Sequence, residues 1–486
     1  MPITQIFTLF IIGTIPIIFA AVQPWVWSIY SVCMMSVFLI FVWQDRMRRS
    51  LVPGIGVNLT LVLFFAATMF LCLPLPDFIL SYLSPTRFEM LTTARLLLDS
   101  PPAWQTLSYA PRLALAWWIL LLSLCLFFVV VRGLCGERKT LKRIVWVMMV
   151  AALIEAVYGL IQALVPTLGV LWVDYVKAYM GDARGTFINR NHFAGFIEMV
   201  WPLALGFALA QGGWGRGYTL KKILASERLN RQALLALGIV ILLLALLFSK
   251  SRAGIASALI GFLTFFVLAR SGIRGMSKYT WLLLGAIGAM VLVYSLKIGI
   301  GPIAERFFKL SSGDSRLDFW RDSLPMVIDH PLGIGLRNYE NVFAVYNVST
   351  ISDKVVDYAH NDYLQLLIEA GWIGFLALIS GFLWFMAKSA YRIRRMNFRK
   401  DPLRFFLAAG AFSGLVSLAF HSFFDFNLQI PANCVYFVTL MAILYACCVR
   451  DSRTNAQSSR PKAQRLDTQK EGSKLKAQRL NLQKHS

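Results

Sequence analysis

The chain has 486 residues, 57% of them hydrophobic and only 15% charged, and its mean hydropathy is +0.62. A soluble domain carries about 25% charged residues, so an ordinary soluble protein is excluded. The formal charge of +23 would suit a nucleic-acid partner, but such a partner needs its basic residues on one folded face, and here they are spread over many separate turns.

Runs of about 18 or more apolar residues recur, each long enough to cross a bilayer. They predict an all-α integral membrane protein of about 12 transmembrane helices, over 3–22, 24–43, 57–74, 113–132, 144–165, 192–210, 232–249, 253–270, 279–297, 363–387, 405–424 and 432–449. The first run reads as a retained span and not a cleaved signal peptide, because Met1 to Gln5 hold no Lys or Arg. With the N-terminus inside, the inner segments are 44–56, 133–143, 211–231, 270–278, 388–404 and 450–486. With Arg132 included, they hold 33 of the 48 Lys and Arg but 7 of the 25 Asp and Glu. The outer segments are charge-balanced, as the positive-inside rule requires, so both termini are expected in the cytoplasm.

Three regions follow: membrane helices over 1–179, a second membrane domain over 180–449 with a large outer loop at 298–362, and a tail at 450–486. The tail is basic, rich in Gln and Ser and without an apolar face, which predicts disorder or contact with anionic lipid. Seven cysteines form no CxxC pair and no Cys/His ligand spacing. The outer loop 75–112 can form a short amphipathic segment at the interface. Its Arg87, Arg95 and Arg112 are either solvated or in contact with phosphate.

The next outer loop is denser in polar groups. Gly181-Asp-Ala-Arg-Gly-Thr-Phe-Ile-Asn-Arg-Asn-His-Phe-Ala-Gly195 places Arg184, Arg190, Asn189, Asn191 and His192 among glycines. Glycines let backbone approach a ligand, and arginine forks suit phosphate oxygens; the alternative is an Asn-capped helix entrance with snorkelling arginines. Phe248-Ser-Lys-Ser-Arg-Ala-Gly254 sets Lys250 and Arg252 at an outer hairpin, as an anion pocket or as snorkelling cations. In the large loop, Asp314, Asp318 and Asp322 repeat every four residues on an expected helix that Pro325 kinks or ends. They either bind a divalent cation or pair with Arg316 and Arg321.

The stretch Asp357-Tyr-Ala-His-Asn-Asp-Tyr-Leu-Gln-Leu-Leu-Ile-Glu369 begins polar and runs into an apolar helix. On a 3.6-residue period Asn361, Asp362, Gln365 and Glu369 lie within roughly 100° of one another, so a polar stripe descends from His360. Glu155, Glu198 and Glu369 lie inside spans; a carboxylate in hydrocarbon makes Glu369 a functional suspect by default, but with the charges sorted by side it reads as a buried helix–helix contact below the chemistry. His421 and Asp425, four apart near an outer helix end, can share a face and bond to each other.

Together, Arg-Gly-Thr-Phe-Ile-Asn-Arg-Asn-His-Phe (184–193), Ser-Lys-Ser-Arg-Ala-Gly (249–254), Ser-Arg-Leu-Asp-Phe-Trp with His-Pro-Leu-Gly-Ile-Gly-Leu-Arg-Asn-Tyr (315–339) and Ala-His-Asn-Asp-Tyr-Leu-Gln (359–365) resemble the O-antigen ligase and O-antigen polymerase superfamily. The likeness runs from about 180 to 445. It implies a GT-C-like bundle in a bacterial inner membrane, with its active site facing the periplasm and no metal or other cofactor. The implied partners are an undecaprenyl-diphosphate-linked glycan as donor and a lipid A-core or glycan acceptor, or in some relatives a protein, set among membrane lipids. It also implies His360 as the essential loop histidine and Arg184, Arg252 and Arg316 as diphosphate-binding residues. Asn361 and Asp362 continue the histidine motif, and Arg190, Asn191, His421 and Asp425 are read as supporting or substrate contacts. No lipid A-specific feature is visible, which leans the reading toward a polymerase or exopolysaccharide-type transferase.

The residues agree with that chemistry. A diphosphate leaves well when its charge is held, and arginine holds it bidentately while staying charged. The acceptor hydroxyl needs a base, and a histidine side chain, with a reference pKa near about 6.5, is suited to that near neutral pH. Asp362 or Asp357 can orient the ring. A transporter or lipid flippase is the alternative, but it should carry its polar residues at mid-membrane in repeated halves, and no internal repeat is present.

Overall fold

The computed structural model describes residues 2–44, 55–97, 104–171, 173, 180–211, 227–274, 285, 315–348 and 356–449. Among these, nine helices are long and apolar enough to span a membrane: Pro24–Trp43, Pro111–Leu134, Arg138–Leu164, Arg190–Gln211, Arg231–Phe248, Arg252–Ile273, Asp362–Arg395, Pro402–His421 and Pro431–Val449. Two expected spans are shorter helices. Ile3–Thr14 ends where Pro16, which has no N–H to donate, interrupts the hydrogen-bond ladder after a still-helical Ile15, and the backbone turns through left-handed Phe19, Ala20 and Ala21. Ile55–Phe70 stops before Pro74. The expected span 279–297 lies outside the described residues apart from 285, and so does the tail 450–486.

The innermost helix is Arg190–Gln211, and its closest neighbour is Pro402–His421. Their backbones meet because both are glycine-bearing at the crossing. A Cβ at Gly410 would stand 2.5 Å from the Pro202 carbonyl oxygen, and one at Gly414 2.5 Å from that of Met199. In lipid, where apolar burial drives little association, such small-residue contacts and interhelical hydrogen bonds hold helices together.

The bundle has two chemically different ends. At one, Arg138 bonds Asp401 at 3.2 Å, Arg404 donates to the Ala446 and Gly136 carbonyls at 2.9 and 3.1 Å, and Gln5 donates to Thr140 at 2.7 Å. The described starts and ends of the chain therefore gather with the basic turns. At the other end the loops 181–189, 249–251 and 422–430 meet: Ala183 N–H donates to the Phe248 carbonyl (2.9 Å) and Asp362 N–H to that of Ser422 (2.8 Å).

The described part of the large loop is a small subdomain docked on a kinked helix. Ser315–Asp329 continues through Pro325 instead of ending there, and Tyr339–Tyr346 follows. Asp362–Arg395 begins at an Asn361 cap, whose side chain accepts from Tyr363 and Leu364 N–H, and kinks at Gly371, with φ +65° and ψ 179°. The kink frees carbonyls that the turn 331–335 then satisfies. Ile334 and Gly335 N–H donate to Ile368 and Glu369 at 3.1 and 3.0 Å, and Trp372 N–H donates to Pro331 at 3.0 Å. Glu369 fixes the next turn by accepting from Arg337 N–H (2.7 Å), Tyr339 N–H (3.3 Å) and Gln365 Nε2 (3.0 Å). The polar stripe below His360 is thus a buried clamp for the loop.

The subdomain is also tied to the loop 75–112, whose Asp77–Leu83 and Pro85–Leu97 helices are joined by an Arg95–Asp77 fork. Arg87 lies 4.0 Å over Tyr109, and Tyr109 OH is 3.4 Å from Nε2 of the buried His330, as Tyr346 OH is at 3.3 Å. Burial pushes the His330 imidazole down to about 4. Its unfolded value is near about 6.5, so between the two the unfolded chain binds the extra proton, and stability falls as pH drops through that window, by about 3 kcal/mol in full. His330→Gln should flatten this: the thermal midpoint of wild type falls between pH 6.5 and 4, and the variant's falls distinctly less. Parallel curves would remove His330 from the account.

Candidate active site

The polar centre of the loop-bearing end is Asp425, which is wholly buried just beyond Pro402–His421. Its Oδ1 lies 3.3 Å from His360 Nδ1 and 3.5 Å from His192 Nε2, and it accepts from Phe426 N–H at 2.9 Å. Its Oδ2 accepts from Asn191 Nδ2 at 2.6 Å and from Arg316 at 3.3 Å. Burial alone would raise this carboxyl, but the contacts with His192 and His360 outweigh it and hold the group well below the usual carboxylate range. Every partner is a donor, so the ionised form is the one the site is built around.

This arrangement sets the tautomer of His360. A carboxylate only accepts, so Nδ1 carries the proton and Nε2 is left with a basic lone pair. The ring is 27% exposed, enough for a substrate hydroxyl to reach it. Phe319 stacks against it and Phe426 meets it edge-on, with centroids 6.2 and 4.8 Å away. Its backbone is left-handed (φ +50°), a conformation that persists in a non-glycine residue only when neighbours impose it. Ala359 is pinned by Trp320 Nε1 on its carbonyl (2.9 Å) and Gln365 on its N–H (3.2 Å), and Asn361 caps the helix beyond.

Two expected pairings are corrected. Asp362 does not orient His360: its Oδ2 accepts from Ser422 Oγ (2.8 Å) and Leu428 N–H (3.0 Å), closing the 422–430 loop onto the helix start, and Asp357 is exposed. His421 does not bond Asp425 through its side chain. Its Nδ1 lies 3.1 Å from Glu198 on Arg190–Gln211, deeper in the bundle. Helix rotation explains the second correction. After His421 the chain leaves the helix, so the four-residue spacing no longer places the two side chains on one face.

The other cations are arranged around a second carboxylate. Asp182, also buried, pairs with Arg190 and, at 2.9 Å, with Lys250. Arg184 is buried behind the same loop, its N–H on Gln162 at 3.3 Å, and Glu155 holds the loop by accepting from Thr186 N–H at 2.7 Å. Arg252 is exposed at the first turn of Arg252–Arg274, which packs against Ala194 beside the His192 turn. Asp318 and Asp322 both lie near Arg321, at 3.6 and 3.8 Å, and Asp322 also accepts from Val348 N–H; Asp314 lies outside the described residues. Sequence reasoning missed Asp182, and it missed the ring stack of Tyr358 on Phe426 (3.9 Å). The composition of the 181–195 loop, with one acid among its cations, carried a signal for Asp182; nothing in the sequence pairs Tyr358 with Phe426.

Fold and site together define a multi-pass helical membrane protein with a histidine, a carboxylate and an arginine gathered at one end of its bundle. Residues 237–379 match the family model described as O-antigen ligase, which supports the resemblance to the O-antigen ligase and polymerase superfamily over that segment. The match includes Arg252, Arg316, His360, Asn361 and Asp362 and stops short of Asp425. Members of that family are membrane glycan ligases and glycosyltransferases acting on lipid-linked glycan, which indicates an enzyme and lends no support to a flippase. No curated protein matches the chain.

Proposed function

We propose that this chain transfers a glycan from an undecaprenyl-diphosphate-linked donor to an acceptor hydroxyl, in a bacterial inner membrane with the site facing the periplasm and the basic end in the cytoplasm. The observation that carries the reading is one carboxylate, Asp425, shared by His360 and Arg316. In the transfer, the acceptor oxygen attacks the anomeric carbon as the bond to the diphosphate oxygen breaks, and the diphosphate leaves with the electron pair. His360 Nε2 takes the hydroxyl proton, and Asp425 stabilises the imidazolium that forms. Arg316 and the exposed Arg252 meet the diphosphate charge, with Arg184 adding its charge from behind the 181–189 loop. The residues ask for no metal in this scheme, and the acceptor is either another lipid-linked repeat or a lipid A-core sugar.

The test is the purified full chain in liposomes with lipid-linked glycan and acceptor. Loss of donor with appearance of elongated or ligated product is expected. Unchanged donor that has merely crossed leaflets would sink the proposal. In a deletion strain, polymer retained on its lipid carrier with uncapped core marks a ligase, and single repeats mark a polymerase.

A further inference from the structure

Arg337 lies outside the scheme above, yet its backbone is pinned and its guanidinium lies over a ring of the site. Its backbone is left-handed, at φ +63°, and its N–H is fixed on Glu369 Oε2 at 2.7 Å. The guanidinium carbon stands 4.3 Å from the Tyr358 ring centroid, and Tyr358 stacks on Phe426 at 3.9 Å with 7° between planes. Two groups that close to one ring centre must occupy opposite faces, so Tyr358 is sandwiched between Phe426 and the guanidinium. Phe426 in turn meets His360 at 4.8 Å and His192 at 4.4 Å.

The steps of 4.3, 3.9 and 4.8 Å place the guanidinium within 13 Å of the His360 ring. That is within the span of one or two sugar rings. Two other arginines near the site lean on carboxylates, Arg316 on Asp425 and Arg190 on Asp182. Arg337 does not. Among the described residues no carboxylate forms an ion pair with it, and its Nη1 is buried without a hydrogen-bond partner. The nearby Glu369 carboxylate is occupied by Arg337 N–H, Tyr339 N–H and Gln365. A planar cation stacked on an aromatic face, with its Nη1 unused, is suited to an oxyanion.

We propose that Arg337 is a second anion-binding group of this site, taking paired oxygens of the substrate away from the bond that breaks: a phosphate of the lipid carrier or a carboxylate of an acidic sugar. The inference rests on the reading of His360 as the transfer centre. It makes Arg337 a specificity residue, aligned through Tyr358 and Phe426 with the ring that takes the proton.

The test uses the full chain in lipid nanodiscs, with binding followed by tryptophan fluorescence for undecaprenyl diphosphate, neutral undecaprenol and glucuronate. Arg337→Gln should bind one of the two anionic probes about ten- to a hundredfold more weakly, the loss of a charge-assisted bond, and undecaprenol as wild type does. Whichever anion weakens identifies the source. Arg337→Lys should recover part of the loss, and Tyr358→Leu, which keeps the cation but removes its platform, should reproduce part of it. Wild-type affinity of Arg337→Gln for both anions overturns the proposal; should that variant fail to fold, unchanged binding in Tyr358→Leu and Arg337→Lys does so. Failure of wild type itself to bind undecaprenyl diphosphate would instead count against the functional reading.

Discussion

Replacing His360 by alanine stops glycan transfer in a protein that still folds. A positioned base contributes about 10²- to 10⁴-fold, and the ring's only described polar tie is the one to Asp425. When it is removed, Asp425 keeps Arg316, Asn191 and the Phe426 N–H, so the buried carboxylate is not stranded and the thermal midpoint moves little. His360→Gln separates size from basicity. Its amide nitrogen can sit near the position of Nε2 but cannot take a proton, so it should be as inactive as alanine. The readout is lipid-linked donor and elongated or ligated product in cells expressing each variant at wild-type level. Normal product from either variant would remove His360 from the role of base.

Local residue order carried the parts of the fold and site that lie within one segment. Apolar runs located the helices because the requirement to satisfy every backbone group in lipid leaves little else, and sorting the charges separated the basic turns from the loops that gather His360 and Asp425. His360 was legible from its own stretch, since the polar run, the Asn361 cap and the helix start are contiguous. Asp425 as the hub was not. Its partners Asn191, Arg316 and His360 lie 234, 109 and 65 positions away, and the helix whose first turn holds Asn191 is brought in by Gly410 and Gly414, which let it close on Pro402–His421. The span lengths failed for a local reason of another kind. Hydropathy sees composition, while Pro16 and Pro74 end helices in uninterrupted apolar sequence, and Gly371 bends one that hydropathy reads as straight.

Asp425→Ala should be the most damaging single change at the site. It strips a buried carboxylate from Arg316 and from two imidazoles, and breaking a buried ion pair from one side costs about 3–5 kcal/mol. Asp425→Asn is the sharper probe. Each partner of the two oxygens is a donor, so either orientation of the amide sets its NH₂ against another donor, and the proton on His360 is no longer fixed to Nδ1. The expected loss of transfer is about 10²- to 10⁴-fold. The acid limb gives an independent check. The carboxyl is held below its unfolded value of about 3.9, so its stabilisation is fully present above that pH and is lost as pH falls through the folded value. That window lies below the one set by His330, so Asp425→Asn should erase the lower limb and His330→Gln the upper. Combining Asp425→Asn with His360→Ala decides whether the two act as one unit. If they do, the double variant transfers no more slowly than the worse single, because the carboxylate has nothing left to orient. Losses that multiply would mean that Asp425 acts on the substrate through Arg316 and not through the histidine.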